Sequence, residues 1–250
     1  MTHDEVQVET PDGHCPTHVL HPDGAGPWPA VVVYMDAIGV RPAMLEIAER
    51  IAREGYFVLL PNLFYRVEFD PAKAVNLFSD PEVRADVFTR VVPSASPANV
   101  VRHTEALLGF LATQDRVRPG PVGVVGYCMG GRLAMYVAGH FGARVAAAAS
   151  YHASGLATDS PESPHRLAPN LRARVYVAGA SEDAGFDDAQ KARLEQALTD
   201  AGVDHVVETY NARHGFVMRD TPAYDEAATE RHWRTLLPLF RETLKPGEAA

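Results

Sequence analysis

The stretch Gly123-Val124-Val125-Gly126-Tyr127-Cys128-Met129-Gly130-Gly131-Arg132-Leu133-Ala134 restricts the possible fold more than any other part of the chain. Pro121 to Val125 form a short apolar, β-branched run suited to a buried parallel strand, and Leu133 to Ala138 are small and helix-compatible. The reading is strand, sharp turn, helix. Between the two lies Gly-x-Cys-x-Gly, the spacing of a nucleophile elbow, in which the central residue takes a strained backbone and lifts its side chain out of the turn. Cβ atoms two positions either side would clash with strand and helix, and Gly126 and Gly130 remove them. Cys128 then stands at a helix start, where unpaired N–H groups and the dipole favour a thiolate or an oxyanion. The competing reading is a cysteine that merely packs in a Gly-rich turn, as most free cysteines do. The rest of the chain decides between them.

At 250 residues and 46% apolar content the chain can bury one good core, and a single domain over 1–250 is expected. A formal charge of −9, with no long block of like charge, argues against a nucleic-acid surface. Cys15 and Cys128 are the only cysteines and form no Cys-x-x-Cys, which excludes a disulfide framework or a four-cysteine metal site within one chain. A reducing cytoplasm fits. The first residues lack a basic-then-apolar leader and no apolar run reaches the length of a membrane span, so neither a membrane partner nor a leader is expected. His14, His18 and His21 crowd the first strands, where solvated histidines are far commoner than ligands. No metal and no cofactor is expected.

Taken in order, Val6 to Glu9 and Thr17 to His21 alternate around Pro11-Asp12-Gly13 and predict an antiparallel hairpin. Ala30 to Tyr34 predict a buried strand, followed by a loop over 35–40. Pro42 opens a helix with Met44, Leu45, Ala48, Ile51 and Ala52 as its apolar stripe, and Tyr56 to Leu60 give the next strand. Strand, helix, strand at this spacing is a right-handed parallel unit. Residues 61–96 show no clear period but hold Phe69, Phe88, Arg84 and Arg90; an irregular stretch of this length with aromatics and arginines points to function. Ser96 and Pro97 open a helix to Thr113, with Val100, Val101, Ala106, Leu107, Phe110 and Leu111 inward. Later strands are expected at 145–151, 174–178 and 205–210, with helices over 188–201 and from Thr221-Pro222 onward. In the last of these Trp233, Leu237 and Phe240 face the sheet, and Pro238 kinks or splits it.

Two loops at the ends of late strands carry Asp183 and His214, and nucleophile, acid, histidine is the chain order of α/β-hydrolases. A parallel sheet brings all three loops to one edge, and this agreement favours the catalytic reading of Cys128. His152, directly after a strand, rivals His214 as base; Glu182, Asp187 and Asp188 are weaker rivals for the acid. A cysteine thiol with an ordinary pKa of about 8.5 needs such a base or a local charge to react at neutral pH.

On Gly126-Tyr127-Cys128-Met129-Gly130-Gly131, the Asp36-Ala37-Ile38-Gly39-Val40 loop, Gly55-Tyr56 with the strand to Pro61, Asp183 and His214-Gly215-Phe216, the chain resembles the dienelactone hydrolase family over essentially its whole length. The resemblance implies an α/β-hydrolase fold, with a mostly parallel twisted sheet and helices on both faces. It also implies a carboxymethylenebutenolidase-like hydrolase of small carboxylic esters or lactones that needs no cofactor and works through a thioester. Cys128 is then nucleophile, His214 base and Asp183 its orienting acid, with backbone N–H groups of Ala37 and Met129 on the oxyanion. One departure concerns Asp36: characteristic members have a glutamate there, which holds the resting thiol until a substrate carboxylate displaces it, and aspartate is one methylene shorter. Arg84, Phe88 and Arg219 are the candidate substrate contacts, Arg219 standing one residue late relative to His214. The expected partner is a small ester or lactone, with or without a carboxylate, and the expected assembly a monomer or small homo-oligomer in the cytoplasm. An acyltransferase on the same triad is the alternative enzyme. A thiol redox sensor or ligand-binding cup is the alternative without catalysis.

Overall fold

Alternation at the start of the chain becomes the expected hairpin. In the computed structural model, which describes residues 1–245, Thr2–Thr10 (β1) and Gly13–His21 (β2) pair antiparallel in a register that sets Thr10 opposite Gly13. Gly13 closes the turn at φ +118°, a conformation that side chains resist. The described residues fall into two units, Met1–Pro119 and a second from Gly120.

In the first unit, β2 pairs antiparallel with Phe57–Pro61 (β4), which runs parallel to Ala30–Tyr34 (β3), in the order β1-β2-β4-β3. The helix Pro42–Arg53 (α1) makes the crossover, with Ala43, Met44, Ile47, Ala48, Ile51 and Ala52 buried. Every residue of β3 and β4 is buried, as near-continuous apolar runs in a parallel pair require. The helix Pro97–Ala112 (α2) starts where expected, and the Ser96 hydroxyl accepts the Asn99 N–H at 3.3 Å. Its buried face is rotated from the expected one. His103, Thr104 and Leu108 are buried, while Val101, Ala106 and Phe110 are only partly so. The Thr104 hydroxyl meets the Tyr34 hydroxyl at 2.8 Å inside the core, an arrangement that apolar periodicity does not register.

The stretch expected to be irregular is a run of short helical turns instead, including Pro71–Ala74, Pro81–Asp86 and Val92–Ser94. Prolines open or sit in the first positions of these turns and interrupt any sustained period. The loop after β3 is tightly built. Arg41 is bidentate on Asp36, at 2.7 Å to Oδ1 and 3.0 Å to Oδ2, and Asp36 also accepts the Ile38 N–H at 2.9 Å. Both members of the pair are buried, and Ala37 and Ile38 pack with Ala74, Leu77 and Val87.

In the second unit, Val122–Tyr127 (β5), Val145–Tyr151 (β6), Arg174–Glu182 (β7) and His205–Arg213 (β8) run parallel in that order. The helices Met129–Phe141 (α3), Asp188–Asp200 (α4) and Glu226–Leu244 (α5) accompany them. Two strands are longer than their apolar runs suggest, β7 reaching Glu182 and β8 reaching Arg213, because ladder pairing continues through polar residues as far as Glu182 opposite Arg213. The last helix begins later than expected, at Glu226. Asp225 caps it by accepting the Ala228 N–H at 2.8 Å, while Thr221 and Tyr224 are held in turns. Nor is it split: it continues through Pro238, with Trp233 and Leu236 buried before the proline and Leu239 and Phe240 after it. Leu237, expected to face the sheet, is only partly buried, and its neighbour Leu236 is buried instead. Tyr127 is tied to this helix by a 2.9 Å hydrogen bond to His232 Nε2. Among the described residues no helix is long and apolar enough to cross a membrane.

Backbone crowding is greatest where β5 turns into α3. A Cβ on Gly126 would lie 2.0 Å from the Gly130 carbonyl oxygen and 2.6 Å from the Gly131 nitrogen. Both are backbone atoms, so neither can swing away. Gly126→Ala is therefore expected to cost more than about 4 kcal/mol, read by urea denaturation, and unchanged stability would refute the close approach. Arg41→Met, which leaves the buried Asp36 carboxylate without its guanidinium, is expected to cost about 3–5 kcal/mol in the same measurement.

Candidate active site

Parallel strands put their carboxyl ends on one edge, and four chemically equipped residues of the second unit stand just past those ends. Cys128 follows β5, His152 follows β6, Asp183 follows β7 and His214 follows β8. Cys128 has φ +54° and ψ −119°, a region costly for a residue with a side chain, and such strain persists only where the surroundings impose it. Those surroundings are visible: its N–H donates to the Tyr151 carbonyl at 3.1 Å, and its carbonyl accepts the Gly131 N–H at 3.1 Å as α3 begins. The thiol is partly exposed. Cys15, by contrast, is buried, and burial pushes its thiol up to about 11, which marks it as a packing cysteine.

His214 Nδ1 lies 2.6 Å from Asp183 Oδ2, and the other face of the relay is the thiol, with which the imidazole is also hydrogen-bonded. With Nδ1 donating to the carboxylate, Nε2 is the nitrogen left for sulfur. Burial alone would discourage the imidazolium. The hydrogen bond to Asp183, then the hydrogen bond and charge of Cys128 and the charge of Asp183, overrule it and raise His214 to about 10. Burial also works against the Asp183 carboxylate. His214, the Gly185 N–H and the Ser154 hydroxyl outweigh it and hold the group below its ordinary value.

Asp183 is positioned by more than the strand. Its Oδ1 accepts the Gly185 N–H at 2.8 Å, and Ser154 donates to Oδ1 and Oδ2 at 3.3 and 3.2 Å. Sequence reasoning missed both partners. The Asp-x-Gly spacing is a detectable Asx-turn signal, whereas Ser154 has none, because it comes from the loop after a different strand. The rival acids have other employment or exposure: Asp187 accepts the Gln190 N–H at 2.8 Å as the cap of α4, and Glu182 and Asp188 are exposed. His152 is buried and does not approach Asp183 by any hydrogen bond.

Met129 is the first residue of α3, so its N–H points out of the helix start beside Cys128. Ala37 and Asp36 belong to the first unit and are fixed in the loop held by Arg41. There too are Arg84 and Phe88, both exposed, with the guanidinium 5.8 Å above the ring. Arg219 is exposed in the turn after β8. Among the described residues no set of three or more His, Cys, Asp or Glu side chains is arranged to hold a metal ion.

Comparison with known proteins gives the chain's family and fold. The sequence profile of the Dienelactone hydrolase family matches residues 15–244. A candidate carboxymethylenebutenolidase of Synechocystis is 27% identical over 232 residues, covering 91% of this chain and 92% of that protein. The carboxymethylenebutenolidase of Pseudomonas sp. (strain P51) is 28% identical over 236 residues, covering 88% and 87%. In structure, a candidate dienelactone hydrolase of Klebsiella pneumoniae superposes with a TM-score of 0.84 over 96% of this chain and 98% of that one, at 24% identity. That likeness establishes the α/β-hydrolase fold, and the match of one family profile to nearly the whole chain establishes kinship: the chain belongs to the dienelactone hydrolase family.

Proposed function

We propose that the protein hydrolyses small carboxylic esters or lactones through a thioester on Cys128, with His214 as general base and Asp183 as its orienting acid. The single observation that carries this reading is the relay from Asp183 through His214 to a cysteine held on a strained elbow. With His214 raised to about 10 by Asp183 and Cys128, the proton drawn from the thiol rests on Nε2, and the thiolate sulfur forms a bond to the carbonyl carbon as the C=O π pair moves to oxygen. The Met129 N–H, at the positive end of α3, faces that oxyanion, and one such donor is worth about 3 kcal/mol in the transition state. Collapse breaks the carbon–oxygen bond, and the imidazolium returns its proton to the departing alkoxide. Water then adds to the thioester with His214 again accepting a proton, which releases a carboxylic acid and restores the thiol.

Substrate class follows from the leaving group. An alkoxide departs from a thiol adduct more readily than an amine, which must first be protonated, so esters and lactones suit this site better than amides. The relatives' activity supports a lactone in particular: the name carboxymethylenebutenolidase specifies an unsaturated lactone that bears a carboxylate.

Cys128→Ala is expected to lower turnover of p-nitrophenyl acetate by at least about 1,000-fold, and acid-quenched wild-type protein is expected to carry an acetyl group on the Cys128 peptide. Wild-type turnover in Cys128→Ala would end this proposal. The pH dependence of stability provides a second check. Because His214 is raised from 6.5 to about 10, its stabilising contribution is whole below pH 6.5 and is lost as pH climbs through about 10. Asp183, held below 3.8, contributes above that pH and loses its contribution in stronger acid. The difference in melting temperature between wild type and His214→Gln is therefore expected to be largest between about pH 4 and 6.5 and to shrink toward pH 10. A difference that grows with pH would contradict the ion pair.

A further inference from the structure

One residue beside the relay costs the fold stability and takes no part in the chemistry described above. His152 follows β6 with φ +41°, in the left-handed region that favours glycine, and it is completely buried. Its backbone N–H is paired with the Ala178 carbonyl at 2.8 Å, but neither ring nitrogen has a hydrogen-bond partner among the described residues. Glycine would relieve the backbone, and an apolar side chain would fill the space without burying two polar atoms. The compensation must come from what the ring touches.

It touches the proposed base. The His152 and His214 rings meet edge to face, with centroids 5.4 Å apart and planes at 61°. Behind His152 stand Phe216, at 4.9 Å and 78°, and Tyr127, at 5.9 Å. Those two are themselves buried, so the His152 ring cannot retreat. The hydrogen bonds to Asp183 and Cys128 hold the two ends of the His214 imidazole but leave the ring free to turn about the line between them. A ring packed edge to face against it restricts that turning.

We propose that His152 is a positioning residue: its buried ring braces the His214 imidazole so that, with Nδ1 on Asp183, Nε2 stays aimed at Cys128. The titratable groups facing His152 are His214 itself, His232 from α5 and Tyr127 from β5. Burial, then the two imidazoles, hold His152 well below the ordinary histidine value. The brace is thus a neutral ring and adds no charge to repel the imidazolium. This inference rests on the triad proposed above.

Three variants test it. His152→Gly deletes the ring and suits the backbone, His152→Asn deletes the ring with a residue that also tolerates this conformation, and His152→Phe restores an aromatic wall without ring nitrogens. With p-nitrophenyl acetate, His152→Gly is expected to lose about 10–100-fold in kcat with KM within about 2-fold, since small misplacements of a catalytic group cost this much. His152→Phe is expected to recover most of that loss. A second reading needs no turnover: the rate at which iodoacetamide alkylates Cys128, followed on its peptide by mass spectrometry, reports the thiol–imidazole contact directly. At neutral pH that rate is expected to fall in His152→Gly and to return toward the parent in His152→Phe. If His152→Gly melts below the assay temperature, His152→Asn decides by the same measurements. Parental kcat and parental alkylation in a ringless variant, or a His152→Phe as impaired as His152→Gly, would overturn the brace. Absence of esterase activity in every variant, wild type included, would instead sink the hydrolase proposal and leave alkylation to judge this one.

Discussion

Everything chemical in the second unit depends on a contact between two stretches of backbone. Where β5 gives way to α3, the chain passes so close to itself that the hydrogen of Gly126 is the largest group that fits against the Gly130 carbonyl. That approach forces the strained dihedrals of Cys128, lifts its sulfur to the strand edge and places it at the positive end of a helix. A cysteine in relaxed backbone at the same strand end would lie down against the sheet, as Cys15 does within β2, and would be an inert thiol.

Around that sulfur the fold arranges charge so that each member supports the next. Asp183 is nearly buried, and burial by itself would neutralise it; donors from Gly185, Ser154 and His214 keep it ionised. The ionised carboxylate accepts a hydrogen bond from the imidazole and favours its charged form beside the thiol. A buried, neutral His152 packed edge to face against that ring adds to the arrangement by geometry and contributes no charge. The first unit handles its own buried carboxylate in the same way. Asp36 is matched by Arg41 and by the Ile38 N–H, and it serves to lock the loop that holds Ala37.

Legibility varied with the range of the interaction. The β3-α1-β4 crossover, the Ser96 cap and the hairpin at Pro11-Asp12 could be read because each is decided within a few residues. The buried face of α2 could not, since Thr104 turns inward for a hydroxyl on Tyr34, seventy positions away. Pro238 reads as a kink or a split, yet apolar anchors on either side keep α5 continuous. Asp36 could be read as a carboxylate at a loop, but nothing local revealed that a guanidinium five residues later would take both of its oxygens.

The amino-acid sequence alone determined the elbow, the identity of its nucleophile candidate and the order in which acid and histidine follow. Glycines at two fixed offsets, helix caps and β-branched runs act through steric limits on the nearest backbone, and such limits are written locally. Only the tertiary structure decided which acid meets the imidazole, what holds that acid ionised and why a second histidine is walled in beside the first. Asp183, Ser154, His152 and His214 come from separate strand ends, and their distances are set by sheet register and by how far β7 and β8 extend, quantities that no short stretch of the chain contains.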